Sequence, residues 1–435
     1  MKMKAMGATA AATKPTAGSG TSPEHRQAPL CRSCGARLKT SFIDLGFMPP
    51  SNAYRTIDDL NRAEMYLPLR SWVCDACLMV QLEDFSTPEA IFSDYAYFSS
   101  YSDSWLRHAR AFAETVSRRF ELDARTRVVE IASNDGYLLQ YFQARNVPVL
   151  GIEPARNVAR VAEVKGIPTR SMFFGEATAA ALTDEGLKAD LLVANNVLAH
   201  VPDINDFVAG AKRILKQAGV WTIEFPHLVN LLEETQFDTI YHEHFSYLSL
   251  ASVAPLMARH GLTVFDVEQL PTHGGSLRLY IQHADGPHVT SVNVARLNVE
   301  ESAAGIDTLD TYRAFGPRVA RIKRDLLTFL IEQQAAGVSV AAYGAPAKGN
   351  TLLNHCGITP DLLPFTVDRS IAKQQHFMPG SHIPIYGPEA IAEHKPDYVL
   401  ILPWNLRGEI MEQMTDIRSW GGRFVTAIPD LKIWP

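Results

Sequence analysis

The chain has 435 residues, of which 46% are hydrophobic and 20% are charged, and its formal net charge is −6. That length suits two or three domains, and the composition is ordinary for a globular protein. The net acidity weighs against a nucleic-acid partner, because such proteins usually need a basic face to neutralise phosphates.

The first 28 residues are rich in small side chains, and Lys14 and Pro15 interrupt them before a signal-peptide core could form. We predict a disordered tail over residues 1–28, since such a segment buries too little apolar surface to offset the entropy of ordering. No apolar run approaches the roughly 20 residues of a membrane-spanning helix. We therefore expect a cytoplasmic protein without a membrane partner, and we take a monomer as the working expectation.

Four of the five cysteines form two Cys-x-x-Cys pairs near the start of the chain. Each pair directs two thiolates to one point, and two pairs complete a tetrahedron for zinc. The 39 residues between the pairs exceed the usual spacing of a zinc ribbon, which predicts a longer excursion stapled by the metal. Disulfides and unpaired thiols are the alternatives, and the missing signal peptide disfavours disulfides. We predict a zinc-binding domain over residues 29–90 with a structural Zn²⁺. Its predicted ligands are Cys31, Cys34, Cys74 and Cys77.

Residues 91–305 alternate strand-like and helix-like patterns. Gly219 follows a helical stretch at about 203–217, as a glycine at a helix C-terminus would. The alternation predicts a Rossmann-like α/β domain with a mostly parallel sheet. Apolar runs that suit its buried strands lie at 128–132, 147–152, 191–195 and 220–225.

The ends of these predicted strands carry polar side chains, which line the ligand crevice of an open sheet. The turn after the first strand has one glycine, so the three-glycine dinucleotide pattern is absent and NAD is disfavoured. An acid at the end of the second strand is placed to accept hydrogen bonds from ribose hydroxyls. S-adenosylmethionine has no pyrophosphate and needs fewer glycines, so we predict it as the cofactor. The predicted cofactor-binding residues are Glu130, Ala132, Asn134, Asp135, Gly136, Glu153, Asn195 and Asn196.

The stretch 236–247 has an unusual density of titratable groups. Methylation of a carbon beside a ketone needs a base for the α-proton and donors for the enolate oxygen. Histidine suits the first role, tyrosine can donate to the oxyanion, and glutamate can orient the imidazole or bind sugar hydroxyls. Metal binding by His-Glu-His is the alternative, although such neighbours point apart on a strand or a helix. The predicted catalytic residues are His200, Tyr241, Glu243 and His244.

Two further segments are candidates for holding the substrate. At 273–278 two glycines let a ligand approach the backbone, and Arg278 suits a phosphate or a carboxylate, with a plain turn between strands as the alternative. At 343–350 a glycine turn follows a predicted strand in the third block, 306–435, which is again α/β. Its lysine is out of Walker register, so the turn favours a substrate diphosphate over a second cofactor. The predicted residues are His273, Arg278, Lys348 and Asn350.

Together these motifs resemble the sugar C-methyltransferases that act on nucleotide-linked 4-keto-6-deoxyhexoses. The resemblance covers nearly the whole chain after the tail, and the zinc pairs and the Tyr-His-Glu-His-Phe run are its most specific parts. The other motifs that carry it are Tyr95-x-Tyr97-Phe98-Ser99-Ser100, Ser133-Asn134-Asp135-Gly136, Asn195-Asn196-Val197, His273-Gly274-Gly275-Ser276 and Gly344-Ala345-Pro346-Ala347-Lys348-Gly349.

The resemblance implies a zinc domain, a central class I methyltransferase domain, and a C-terminal Rossmann-like domain without its own cofactor. It implies a nucleotide-linked keto-sugar held between the last two, with His244 as the base at C-3 and Tyr95 and Tyr97 in the substrate pocket. Two other functions stay open at this point. One is O- or N-methylation on the same scaffold, and the other is nucleic-acid binding built around the zinc pairs.

Overall fold

The structure is a computed structural model that describes residues 29–85 and 99–435. The predicted tail and the two tyrosines assigned to the substrate pocket, Tyr95 and Tyr97, lie outside these residues. Within the described ranges, no helix is both long enough and apolar enough to cross a bilayer. The described elements form three β-sheets with helices packed on them.

The strands, numbered along the described chain, are β1 Thr40–Met48, β2 Leu67–Val73, β3 Val80–Leu82, β4 Val128–Ile131, β5 Val149–Ile152, β6 Thr169–Arg170, β7 Ala189–Asn195, β8 Leu215–Pro226, β9 Ser246–Tyr247, β10 Leu262–Leu270, β11 Ser276–His283, β12 Val340–Tyr343, β13 Thr366–Val367, β14 Ile385–Tyr386, β15 Tyr398–Ile401, β16 Arg423–Thr426 and β17 Lys432–Trp434. The α-helices are α1 Asp103–Arg119, α2 Leu139–Gln143, α3 Arg156–Val164, α4 Glu176–Asp184, α5 Ile204–Ile214, α6 Leu228–Glu233, α7 Leu250–Arg259, α8 Val292–Ala303, α9 Leu309–Arg313, α10 Phe315–Ala335, α11 Ala347–Cys356, α12 Glu389–His394 and α13 Arg407–Gln413.

The first sheet is antiparallel, with the order β1-β2-β3-β9. Three of its strands belong to the segment with the cysteine pairs. The fourth, β9, directly follows the Tyr-His-Glu-His-Phe run, and its Ser246 and Tyr247 pair with Gln81 and Val80 of β3. The predicted catalytic segment is therefore anchored to the zinc-binding part of the chain.

The second sheet has the order β10-β11-β8-β7-β4-β5-β6. Strands β4 to β8 run parallel, whereas β11 is antiparallel to both of its neighbours. The carboxyl ends of β4, β5 and β7 meet at one edge, where an open parallel sheet binds its ligand. The prediction for Gly219 was wrong, because α5 ends at Ile214 and Gly219 lies inside β8. A Cβ there would come 2.9 Å from the Ala189 oxygen, so packing against β7 explains the glycine.

The third sheet has the order β14-β13-β12-β15-β16-β17, and only β17 among these described strands is antiparallel to its neighbour. The helical stretch that precedes it is divided at Ala314 into α9 and α10. Phe42 of β1 stacks on Phe315 of α10, with ring centroids 4.7 Å apart. One apolar core joins the first sheet to the helices and strands of the C-terminal part.

Candidate functional site

The turn after β4 has an unusual backbone. Ala132, Asn134 and Gly136 all have positive φ angles, of 53°, 48° and 78°. L-residues rarely adopt this conformation, and non-glycine examples cluster at binding sites. Gly136 is required for a second reason, because a Cβ there would lie 2.6 Å from Cδ1 of Ile167. One glycine and two strained residues thus build a turn that opens the backbone at the sheet edge.

Glu153, at the end of β5, ties this turn to the next strand. Its Oε2 accepts a hydrogen bond from the Asn134 amide at 2.9 Å, and its Oε1 accepts one from the Ala155 amide at 2.8 Å. Burial raises the pKa of Glu153, while these two amides oppose the shift. Each carboxylate oxygen keeps a second lone pair for a ligand hydroxyl.

The crevice at this edge is rich in hydrogen-bond acceptors. Buried oxygens of Asp135, Asn195 and Asn196 have no hydrogen-bond partner among the described residues. Glu130 is 1% exposed; burial raises the pKa of its carboxyl well above the ordinary value, and a hydrogen bond with Tyr137 opposes the shift. Native proteins rarely leave buried oxygens without a partner, so those of Asp135, Asn195 and Asn196 indicate a ligand. S-adenosylmethionine carries an ammonium, a sulfonium and two ribose hydroxyls, and this donor and cation chemistry fits the crevice.

The Tyr241-to-His244 segment has its two middle side chains in the interior and its two outer side chains towards the cleft. His242 and Glu243 are buried, whereas Tyr241 and His244 are partly exposed. His244 donates from Nδ1 to the Thr239 carbonyl at 2.9 Å, and its Nε2 accepts from the Tyr241 hydroxyl at 2.7 Å. His242 instead donates from Nε2 to the Pro68 carbonyl at 3.2 Å. The run therefore presents one imidazole, with a fixed tautomer, to the cleft.

His200 connects this imidazole to the cofactor crevice. It lies in the short turn Leu198–His200 after β7, and its ring centroid is 4.7 Å from that of His244. Its Nδ1 donates to the Glu243 carbonyl at 2.7 Å. Burial lowers the pKa of His200 to about 4. Burial, with His200 and Lys348 nearby, holds the pKa of His244 well below its ordinary value, so both imidazoles are neutral at physiological pH.

Lys348 brings a cation to the cleft from the C-terminal sheet. It lies in the first turn of α11 and donates to Oδ1 of Asn405 at 2.8 Å, with its ammonium 4.9 Å from the Trp404 ring centroid. Burial lowers the pKa of Lys348, and Asp238 opposes that shift. Asp238 in turn accepts from the Trp404 indole at 2.8 Å, and burial raises its pKa to about 7.

The other predicted substrate residues have different surroundings. His273 is exposed, and its Nε2 accepts from the Asn196 amide at 3.3 Å. Arg278 is 5% exposed and donates to Glu224 at 2.7 Å and to Glu268 at 2.9 Å, so its guanidinium is engaged inside the protein. Asn350 is fully buried in α11, below the surface of the turn.

A network around Glu224 supports the His273 turn. Glu224 on β8 accepts from His108 at 2.9 Å and from Thr272 at 3.0 Å, in addition to Arg278. Burial alone would raise its pKa, but the bonds and charges of His108 and Arg278 lower it to about 2. The carboxylate stays ionised and holds Thr272–Gly274, the turn that carries His273, against the sheet edge.

The four cysteines of the two pairs converge, with all Sγ atoms within 4.8 Å of one another. Gln81 donates to Sγ of Cys31 at 3.2 Å. Four thiolates at this spacing fit tetrahedral zinc and leave no position for a substrate. The zinc site is thus structural in its chemistry.

Sequence reasoning did not single out several residues of the cleft. Buried Asp238 accepts from the half-buried Trp404 indole, and Asn52 donates to Oε1 of Glu243 at 2.6 Å. Trp404 could have been found, because it follows β15 and strand ends line the crevice. Asn52 carried no signal, since its place depends on how the excursion between the cysteine pairs folds.

Comparison with known proteins agrees with this architecture. Residues 31–92 match the family model described as "Putative zinc binding domain", residues 104–267 match "Methyltransferase domain", and residues 271–429 match "C-methyltransferase C-terminal domain". The C-methyltransferase NovU of Streptomyces niveus is 36% identical over 404 residues, which cover 93% of this chain and 96% of NovU.

Two other similarities are partial. A ubiquinone biosynthesis O-methyltransferase of Bartonella quintana is 24% identical over 153 residues, which cover 32% of this chain and 61% of that protein. The magnesium protoporphyrin IX methyltransferase ChlM of Synechocystis, solved with bound SAH, is 14% identical and covers 40% of this chain and 82% of its own. Its TM-score of 0.33 is too low to support a conclusion.

An acceptor-lined crevice beside the ends of parallel strands, within a matched methyltransferase domain, defines an S-adenosylmethionine-dependent methyltransferase with a structural zinc. More particularly, the chain belongs to the C-methyltransferase family that includes NovU and that joins a zinc-binding domain, a methyltransferase domain and a C-methyltransferase C-terminal domain.

Proposed function

We propose that this enzyme methylates C-3 of a nucleotide-diphosphate-linked 4-keto-6-deoxysugar, with His244 as the base. The observation that carries the proposal is the placement of the His244 imidazole, which is held by Thr239 and Tyr241 beside His200 at the edge of the crevice. A ketone makes the neighbouring C–H acidic enough for an imidazole to remove its proton.

His244 is oriented for that step. The Thr239 carbonyl fixes the proton on Nδ1, so Nε2 carries the lone pair that takes the proton from C-3. In the proposed reaction the substrate C–H replaces the Tyr241 hydroxyl at Nε2. The electron pair of the broken C–H bond moves onto the C-4 oxygen as an enolate.

Groups around His244 are suited to hold that enolate. The displaced Tyr241 hydroxyl would donate to the enolate oxygen. Neutral His200 donates its single ring proton to the Glu243 carbonyl, so in this tautomer it would orient the segment and would not donate to the enolate. The Lys348 ammonium lies close enough to affect the pKa of His244, so its charge would also favour the developing oxyanion. Glu243 holds His200 through its backbone carbonyl, and its side chain turns towards Asn52.

S-adenosylmethionine would lie along the β4, β5 and β7 ends, held by Glu130, Glu153, Asp135 and the two asparagines after β7. When bound, it supplies the sulfonium methyl group that the enolate carbon accepts. The strained turn at Ala132, Asn134 and Gly136 would let it approach the backbone. These side chains would orient the donor and exclude water that would quench the enolate.

The sugar nucleotide would bind between the second and third sheets. The N-terminal end of α11, with Lys348 in its first turn, suits a diphosphate, because free backbone amides and a cation meet there. His273, on the opposite wall, is placed for a sugar hydroxyl. Arg278 and Asn350 would not touch the substrate directly in this arrangement and would instead support the residues that line its site through their buried contacts. Tyr95 and Tyr97 remain predicted substrate contacts.

The experiment is a panel of nucleotide-linked keto-sugars incubated with enzyme and S-adenosylmethionine in heavy water, followed by mass spectrometry. The proposal expects a gain of one methyl group on the sugar carbon and exchange of the C-3 hydrogen when the methyl donor is withheld. Methylation of oxygen or nitrogen without exchange would refute it. The cytoplasmic location, the monomeric state and the lack of a nucleic-acid partner stay predictions from the sequence.

A further inference from the structure

The middle of the excursion between the two cysteine pairs, residues 49–66, crosses to the C-terminal part of the chain. Arg55 exchanges two backbone hydrogen bonds with Phe377, at 3.0 and 2.8 Å. Glu64 accepts from the Gly380 amide at 3.0 Å and from His382 at 2.8 Å. The two zinc-ligating cysteine pairs flank this segment, and its middle is thus hydrogen-bonded to the loop between β13 and β14.

Within this excursion, Asn52 contacts one wall of the cleft. Its side-chain amide donates to Oε1 of Glu243 at 2.6 Å, and Glu243 is 5% exposed. Glu243 adjoins His244, and its own carbonyl accepts from His200 at 2.7 Å. Asn52 therefore restrains the residue between the two imidazoles.

Two positions later, Tyr54 contacts the other wall. Its hydroxyl donates to the Ala345 carbonyl at 2.5 Å, and Lys373 donates to the same carbonyl at 3.0 Å. The Ala345 amide donates to Asp368 at 2.7 Å. Ala345 is thus held at both its amide and its carbonyl, in the turn that leads from β12 into α11 and to Lys348.

We propose that Asn52 and Tyr54 are positioning residues that fix the catalytic segment and the 344–346 turn at one spacing. A substrate anchored on the turn would then present one carbon to His244. This inference rests on the proposed function, because it assumes that the substrate spans both walls. In this proposal the excursion between the zinc-ligating pairs aligns the two walls of the cleft in addition to stabilising the fold.

The test uses the full-length, zinc-loaded enzyme with Asn52→Ala and Tyr54→Phe. Asn52→Ala should lower kcat about tenfold with little change in KM, because the base loses its alignment. Tyr54→Phe should raise KM for the sugar nucleotide about fivefold with a smaller change in kcat, because the turn loses one restraint. Tyr66→Phe is the matched control, since its hydroxyl makes only a 3.5 Å contact with the Gly380 carbonyl among the described residues.

A second readout needs no substrate. Amide hydrogen exchange should speed up in peptides covering 239–247 for Asn52→Ala and 341–352 for Tyr54→Phe, with Tyr66→Phe unchanged in both. Exchange and kinetic constants within twofold of the wild type would overturn the proposal. The proposal would also be overturned if each variant lost activity only to the extent that it lost protein able to bind SAH, because misfolding would then explain the loss. A wild type that methylates no keto-sugar would count against the proposed function alone, and the exchange data would still decide on the positioning role.

Discussion

His244 has its two ring nitrogens in different roles. Nδ1 donates to a backbone carbonyl and Nε2 accepts from a phenol, so the neutral imidazole is locked in one tautomer. Burial keeps the pKa of His244 well below its ordinary value. An imidazole with so low a pKa is deprotonated across the physiological range, so its proposed activity as a base would depend on alignment more than on pH.

Replacing His244 by asparagine should therefore remove the base without removing the site. We expect His244→Asn to lower turnover by about 10³-fold, within the range of general-base catalysis. Its affinity for SAH, measured by calorimetry, should stay within about twofold of the wild type, because the cofactor crevice is built from other residues. His394→Asn, on the exposed face of α12, should leave both quantities unchanged. A His244 variant with near-normal turnover would exclude it as the base.

Glu243 offers a test based on pH. Burial raises the pKa of Glu243 to about 7, against an ordinary value of 4.5. The folded chain keeps a proton that the unfolded chain releases, so this group's contribution to stability is present below pH 4.5 and is lost as the pH rises through 7. Glutamine does not titrate. Glu243→Gln should thus gain stability relative to the wild type between pH 5 and pH 8, by up to about 3 kcal/mol.

The measurement is the difference in free energy of unfolding between variant and wild type at each pH, from urea denaturation. Glu412→Gln, at an exposed position of α13, should give a difference that does not vary over the same range. A constant difference for Glu243→Gln would mean that its carboxyl is not protonated in the folded protein.

At this scale the sequence selected one candidate segment, but the density of titratable groups alone could not rank its members. Density of titratable groups selected 241–244, yet only the fold shows that His242 turns inward to Pro68 while His244 faces the cleft. The role of Asn52 could not be predicted from the sequence, because its contact with Glu243 joins residues far apart in the chain and leaves no local pattern. The roles assigned to these side chains remain proposals.

At the scale of elements, the ends of β4 and β5 work as a unit. Glu153 at the end of β5 bonds to the amide of Asn134 in the turn after β4. Hydrogen bonds to a charged group are worth about 1.5–3 kcal/mol each. The carboxylate therefore shapes the strained turn, and in the proposed binding mode it would also accept a hydrogen bond from the cofactor.

We expect Glu153→Ala to weaken binding of SAH by about 10- to 100-fold, because the turn relaxes and a ribose acceptor is lost. Calorimetric titration measures this directly. Glu163→Ala, on the exposed side of α3, should bind SAH normally. Unchanged affinity in the Glu153 variant would place the cofactor elsewhere.

Elements with a strong local apolar pattern were predictable, and elements that are short or depend on distant residues were not. The four central strands were found near their true positions, because buried parallel strands are continuous apolar runs. Gly219 was misread since helix ends and tight strand packing both select glycine. The two-residue β9 is too short to leave a periodic pattern. The predicted domain boundaries after residues 28, 90 and 305 remain predictions.

At the scale of the whole molecule, the stabilising effect of zinc extends beyond the segment that binds it. The first sheet shares a core with α10 and includes β9, so loss of the zinc would also release the proposed catalytic segment 241–244, which precedes β9. Binding of structural zinc contributes about 10–16 kcal/mol to the folding of zinc-finger peptides.

Cys74→Ser should reduce bound zinc, measured by atomic spectroscopy, and lower the midpoint of thermal unfolding by about 10 °C or more. Cys356→Ser is the matched control, since this buried cysteine of α11 lies outside the zinc cluster and its loss should leave the zinc content unchanged. A zinc-free Cys74 variant that folds normally yet is inactive would contradict a structural role for the metal.

The pairing of β9 with β3 also constrains how this protein is made. The ribosome releases β3 long before β9, so the edge of the first sheet stays open while most of the methyltransferase domain is synthesised. An unpaired strand edge is a template for aggregation. A fragment cut after residue 85 should self-associate, and the intact chain should depend most on chaperones before Ser246 and Tyr247 emerge.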